Sequence, residues 1–347
     1  MARGDSARTR SAAPVAPVRP AGSARRDVLE PARRDAPVST PEFPGCRPVQ
    51  ITRDAIGDHE GRIEYWDAAT ETAWVACEPT TVYHEGPGQQ LAGLLTRIAA
   101  VRGAPILTLG TADLLLRDAR GERRRILQPD QMVYLDPVET RPRGAAVEVG
   151  TDHLPDVLLE VDYATDVHRG KLSLYEAWGF PEVWVEVPDG GSPRRGPGLT
   201  IHRLAPEGYG AVAASVALPG WTAAEIHAAL NEPVLSEATR AVLERVGRAL
   251  GAAAGTGPDD DPWLGAQRRE ARAEGRAEGR AAGRAEACVE MVRSILQNRG
   301  LAISERLAAR IAGEDPAALA AAASTCRDEA DLLARLDAGR VAGRRDR

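Results

Sequence analysis

Residues 155–188 read PDVLLEVDYATDVHRGKLSLYEAWGFPEVWVEVP, from Pro155 to Pro188. Val157-Leu158-Leu159-Glu160-Val161 is nearly all apolar, as a strand covered on both faces must be. A helix is expected from about His168 to Trp178, with Gly179 as its C-cap. Pro181 cannot continue that helix, and Val183-Trp184-Val185-Glu186-Val187 begins a second buried strand. Strand, helix and strand over about thirty residues make a βαβ-like unit.

Two charged residues stand out in this unit. Glu160 interrupts an apolar strand, where a carboxylate needs a partner. Lys171 is the only lysine of the chain; every other member of its 44 Lys and Arg residues is arginine. A bias in composition explains the arginines but not the surviving lysine. Lysine is a compact point charge and arginine a wide fork, so a site that needs an ammonium resists the exchange.

Upstream, Pro129-Asp130 precedes the strand-like Met132-Val133-Tyr134-Leu135, and Pro155-Asp156 enters the Glu160 strand. Short strands are expected at Ile63–Trp66 and Thr72–Ala76, and again at Ile106–Leu109 and Asp113–Arg117. Leu91, Leu94, Leu95, Ile98 and Val101 recur at helical spacing up to Gly103. Downstream, Leu199–Leu204 alternates like an edge strand, and helices are expected before Asn231 and over Ser236–Leu250.

Hydrolysis of a phosphodiester calls for a divalent cation to polarise the phosphoryl oxygen. Magnesium takes hard oxygen ligands, commonly one or two carboxylates with waters. A positive side chain stabilises the charge that develops. Asp130 and Glu160 on neighbouring strands and Lys171 on the following helix supply that set, with the Val161 carbonyl as a further oxygen ligand.

The ordered pieces resemble the Uma-two family of restriction-endonuclease-like proteins, within the PD-(D/E)XK nuclease superfamily. They are Pro129-Asp130, the run from Pro155 to Glu160-Val161, Lys171 with Tyr175 one turn later, and Gly179, Pro181, Glu182 and Trp184. The resemblance covers roughly residues 55 to 230. It implies an α/β fold: a restriction-endonuclease-like core with a mixed sheet flanked by helices, followed here by an all-helical C-terminal extension. It implies a Mg²⁺- or Mn²⁺-dependent endonuclease acting on DNA, with Asp130, Glu160 and Lys171 catalytic. The superfamily pattern places lysine two residues after the glutamate; Asp162 stands there, and Lys171 on the helix takes the role. A polar residue at the start of the early helix falls on His84 or Glu85, which makes Glu85 an accessory candidate beside Tyr175. The competing expectation is a nuclease-fold protein without chemistry that binds nucleic acid or regulates, because the net charge of −6 is unfavourable for phosphate binding.

The remaining sequence sets boundaries. Residues 1–48, rich in Arg, Ala, Pro and Ser, are expected to form a disordered arm. The nuclease-like domain spans 49–250, a linker 251–262, a charged repeat helix 263–287 and a helical module 288–347. The repeat stacks Arg on Arg and Glu on Glu at i,i+4, unfavourable in one chain but open to pairing between chains, so a homo-oligomer is expected. No apolar run spans a bilayer, no export signal is evident, and Cys46, Cys77, Cys288 and Cys326 lack metal-ligand spacing. A cytoplasmic protein with reduced thiols and no membrane partner is expected.

Overall fold

The computed structural model describes residues 42–343, apart from 78–80, 164–165, 191, 193–194, 302–303 and 312–313. Most of the expected N-terminal arm lies outside the described residues. Its last part does not behave as an arm. Phe43 is buried against Tyr65, with ring centroids 5.2 Å apart, and β1 (Cys46–Gln50) pairs antiparallel with the strand Thr72–Ala76. The boundary at 48 is therefore corrected: one aromatic and one ladder suffice to order this segment.

The chain forms two compact units. The first comprises the described residues up to Gly88, Thr108–Ala217 and Thr222–His227; the second takes Gln89–Leu107, Leu218–Trp221 and Ala228 onward. The expected domain over 49–250 draws residues from both units. The helix Val82–Arg102 begins in the first unit and continues in the second.

The strands after β1 are β2 (Ile63–Asp67), β3 (Thr72–Ala76), β4 (Leu107–Leu109), β5 (Leu114–Arg117), β6 (Arg123–Leu127), β7 (Gln131–Tyr134), β8 (Val147–Glu148), β9 (Val157–Val161), β10 (Glu182–Val187), β11 (Gly198–Ala205) and β12 (Gly208–Val212). They form two six-stranded sheets, in the orders β1-β3-β2-β6-β5-β8 and β12-β11-β10-β9-β7-β4. Both are mixed. In the first, β5 and β8 run parallel beside antiparallel pairs. In the second, β9 and β10 run parallel, joined through the helix Lys171–Trp178, while β10–β11, β11–β12 and β7–β9 are antiparallel. The fold is thus α/β, with two mixed sheets, flanking helices and a helical C-terminal region.

The apolar runs explain the burial. Every residue of β9 and of β10 is buried, as strands covered on both faces must be. The first sheet packs Ile51, Ile56, Ile63, Trp66, Ala73, Leu115 and Ile126 together. Trp66 satisfies its indole N–H on the Ile51 carbonyl at 2.9 Å. Strand β6 is not expected from the sequence, since it opens on the charged run Arg123-Arg124-Arg125; its Ile126 and Leu127 are what the core holds. The Glu160–Lys171 helix connection also differs. The helix starts at Lys171, not near His168, with Gly170 as its N-cap, and ends at Gly179 in the left-handed region (φ 86°) as expected.

In the second unit the stretch expected to be a linker is packed. Helix Glu237–Ala254 runs four residues beyond Leu250. Thr256 Oγ1 donates to the Arg102 carbonyl at 2.7 Å. Gly103 (φ 78°) lies so close to Gly257 that a Cβ there would fall 1.8 Å from the Gly257 carbonyl oxygen. Two glycines are needed for this approach. The charged repeat and the start of the helical module form one helix, Leu264–Asn298, broken where Gly300 adopts φ 72°. Beyond it, Cys288, Val292, Leu296, Leu307, Ile311, Leu319, Ala323, Cys326, Leu332 and Leu336 form one core. This matches the expected apolar faces; Ile303 lies outside the described residues.

Candidate functional site

The antiparallel ladder between β7 and β9 pairs Gln131 with Leu159. One step further along that register sets Asp130 opposite Glu160. The two carboxylates expected from the sequence are therefore brought to adjacent strand positions by the pairing itself. Asp130 is locked in place: its Oδ2 accepts the Val161 N–H at 2.7 Å, and its Oδ1 accepts from Arg62 Nη2 at 2.7 Å.

Lys171 opens its helix with its side chain 3% exposed. Its Nζ lies 2.9 Å from Glu160 Oε2 and 2.6 Å from Glu64 Oε2, and donates to the Gln128 carbonyl at 2.6 Å. The three expected residues therefore share one site, with Lys171 directly on Glu160. Tyr175, one turn along the helix, donates its hydroxyl to Glu160 Oε1.

Glu64 and Arg62 were not singled out from the sequence. Glu64 sits in the wholly apolar context of Ile63-Glu64-Tyr65-Trp66 and is 1% exposed. A carboxylate inside such a strand is the same signal that marked Glu160, and it was available. Arg62 Nε pairs with Glu64 Oε1 at 2.9 Å, so its guanidinium bridges Glu64 and Asp130. His84 joins from the Val82–Arg102 helix, with Nε2 2.9 Å from Arg62 Nη2 and 3.5 Å from Asp130 Oδ1. Of the two candidates at that helix start, His84 reaches the cluster. The Glu85 side chain is half exposed, and its Oε1 lies 3.6 Å from His84 Nδ1.

Electrostatics follow from burial and from the count of charges. Three carboxylates, Glu64, Asp130 and Glu160, face two permanent cations, Arg62 and Lys171. Burial pushes the Glu160 carboxyl up to about 8; Lys171 opposes this, while Asp130 and Glu64 reinforce it. Burial works against the Lys171 ammonium, but Glu160, Glu64 and Asp130 outweigh it and hold the group charged above its ordinary range. Glu64 feels the same burial, yet Lys171 and Arg62 outweigh it and keep its carboxyl below the ordinary value. Burial, then Glu160, raises the Tyr175 phenol well above its usual range, so it stays a neutral donor. Lys171 is thus a fixed positive charge and not a base.

The Val161 carbonyl accepts the Tyr163 N–H at 3.1 Å. The carboxylates are turned to protein donors, and among the described residues no group of three or more His, Cys, Asp or Glu converges as a metal-ion site. The donor set itself consists of hard oxygens, the kind of ligand a divalent ion such as Mg²⁺ takes.

Other acids near these strands have structural partners. Asp156 accepts the Leu135 N–H at 2.8 Å, as a strand-entry residue should. Asp162 and Asp166 both pair with Arg195. Among the described residues no helix is long and apolar enough to cross a membrane. No family model and no curated protein matches the chain.

Proposed function

We propose that this chain is a metal-dependent endonuclease that hydrolyses DNA phosphodiester bonds through the Asp130, Glu160 and Lys171 site of a PD-(D/E)XK-type core. The observation that carries this reading is the sole lysine of the chain, buried on Glu160, with Asp130 set opposite that glutamate by the strand register. Asp130, Glu160 and the Val161 carbonyl are the residues to hold Mg²⁺ or Mn²⁺. Such an ion supplies charge neutralisation at the phosphoryl oxygens and acidifies water. Lys171, held as an ammonium, stabilises the attacking water or the negative charge of the transition state. Tyr175 orients Glu160 through its hydroxyl, and Glu64 fixes the lysine from the other sheet.

One observation favours a second reading, a nuclease-like fold without chemistry that binds nucleic acid or regulates. Both oxygens of Asp130 are already engaged by protein donors. Calorimetric titration with Mn²⁺ separates the two. Binding by the wild-type chain that is lost in Asp130→Asn supports the enzyme. No Mn²⁺ binding, with DNA binding intact, supports the second reading.

The Leu264–Asn298 helix carries the further proposal of self-association. Gly275, Gly279 and Gly283 have nothing within 4 Å of a notional Cβ, so the repeat face is open to close approach by another chain. DNA as substrate and a homo-oligomer through these helices complete the proposed partners.

A further inference from the structure

Arg62 has no part in the proposed metal-holding set, yet it binds one of that set's two carboxylates directly. Its Nη2 is 2.7 Å from Asp130 Oδ1 while its Nε is 2.9 Å from Glu64 Oε1. Two cations serve the cluster, and they differ in freedom. Lys171 is 3% exposed and contacts Glu160, Glu64 and the Gln128 carbonyl at once. The Arg62 side chain is 23% exposed. Only the arginine borders solvent, and only the arginine sits on Asp130.

We propose that Arg62 is a built-in counterion at Asp130, standing where a divalent cation would bind and competing with it; the inference rests on the metal reading of this site. A guanidinium is always charged, so raising the pH does not remove it, and displacing it releases Asp130 Oδ1. Glu64 gives the displaced side chain an anchor, because the Nε pairing is separate from the Nη2 pairing. The Nη groups are then free to meet a phosphate oxygen, for which the planar fork is well shaped. In the absence of an ion the arrangement keeps Asp130 neutralised. His84 Nε2 lies 2.9 Å from the same Arg62 Nη2 and is a second contact that the movement must break.

The test is Mn²⁺ titration of the full-length chain, read by calorimetry or by the electron-spin signal of free Mn²⁺. Arg62→Gln is expected to bind Mn²⁺ with a Kd roughly tenfold or more below wild type, the scale of one charge-assisted hydrogen bond released. The double variant Arg62→Gln/Glu64→Gln restores the wild-type charge of the cluster and removes the buried acid that the single variant leaves paired with Lys171 alone. It is expected to be folded by circular dichroism and still to bind more tightly than wild type. Arg125→Gln, which removes a partner of Asp67 outside the cluster, is expected to leave the Kd unchanged. A double variant with wild-type affinity, or equal tightening by Arg125→Gln, makes the effect one of bulk charge and overturns the proposal. Wild-type binding with no tightening in Arg62→Gln overturns the counterion role alone. No Mn²⁺ binding by any of the proteins overturns it together with the metal reading.

Discussion

Lys171 Nζ lies 2.6 Å from Glu64 Oε2, joining a helix that follows β9 to a strand of the other sheet. Both side chains are almost wholly buried, and each is paired. Buried charge is tolerated only on those terms. The lysine therefore has two roles: it neutralises the candidate site, and it ties the two sheets of the first unit together.

Replacement of Lys171 by Met should cost about 3–5 kcal/mol, because Glu64 and Glu160 lose a buried partner. Urea unfolding measures this. Lys171→Arg should also lose stability, by about 1–3 kcal/mol, since the wider guanidinium overfills a space built for an ammonium. A fully stable arginine variant would remove the physical reason for the single surviving lysine.

Tyr175→Phe deletes only the hydroxyl that donates to Glu160. Loss of that hydrogen bond costs about 0.5–1.5 kcal/mol where Glu160 is protonated and about 1.5–3 kcal/mol at a pH where it is ionised. The same change should raise the Glu160 carboxyl further, since that hydroxyl favours its ionised form. Difference infrared titration of the carboxyl band reports the direction.

Stability should depend on pH through Glu160. Its folded-state carboxyl is raised from the ordinary 4.5 to about 8. The folded chain then holds a proton that the unfolded chain gives up. The contribution is fully present below about pH 4.5 and declines as pH rises through about 8. Glu64 acts oppositely: its lowered carboxyl favours the fold at higher pH and loses that effect on acidification. Melting temperatures measured without divalent ions should fall from pH 6 to pH 9, and Glu160→Gln should flatten that slope.

Self-association through the Leu264–Asn298 helix predicts a light-scattering mass that is a multiple of the 37.0 kDa chain. Replacing Gly275, Gly279 and Gly283 by Ala favours the isolated helix by about 1 kcal/mol each. It should nevertheless weaken the assembly, because the added methyl groups hold the chains apart. A monomeric wild-type mass, unchanged by the triple variant, would contradict the proposal.

Much of the site could be read from sequence for a physical reason. Glu160 was legible as an acid inside an apolar strand and Lys171 as the sole lysine of the chain, whereas Asp130 and Tyr175 were expected chiefly from the resemblance. Glu64, Arg62 and His84 arrive from sequence-distant elements, and no local pattern predicts that meeting. Only the presence of an acid within an apolar strand hinted at Glu64. The α/β class was equally legible from the apolar runs. The division into two units was not, because it depends on where the Val82–Arg102 helix and the residues after His227 pack. Nor was the order in residues 42–48 and 251–262. There a single aromatic, Phe43, and a close approach of two glycines, Gly103 and Gly257, outweigh a composition that looks loose.

The central claim is hydrolysis of DNA at this site. The most direct measurement is conversion of supercoiled plasmid to nicked or linear product by the full-length chain with Mg²⁺. Asp130→Asn and Lys171→Met, each checked for fold by circular dichroism, serve as comparisons. The predicted result is cleavage that requires Mg²⁺ and falls by a factor of a hundred or more in both variants, a loss of at least about 2.7 kcal/mol of transition-state stabilisation. No cleavage by the wild type, or equal cleavage by wild type and folded variants, would contradict it.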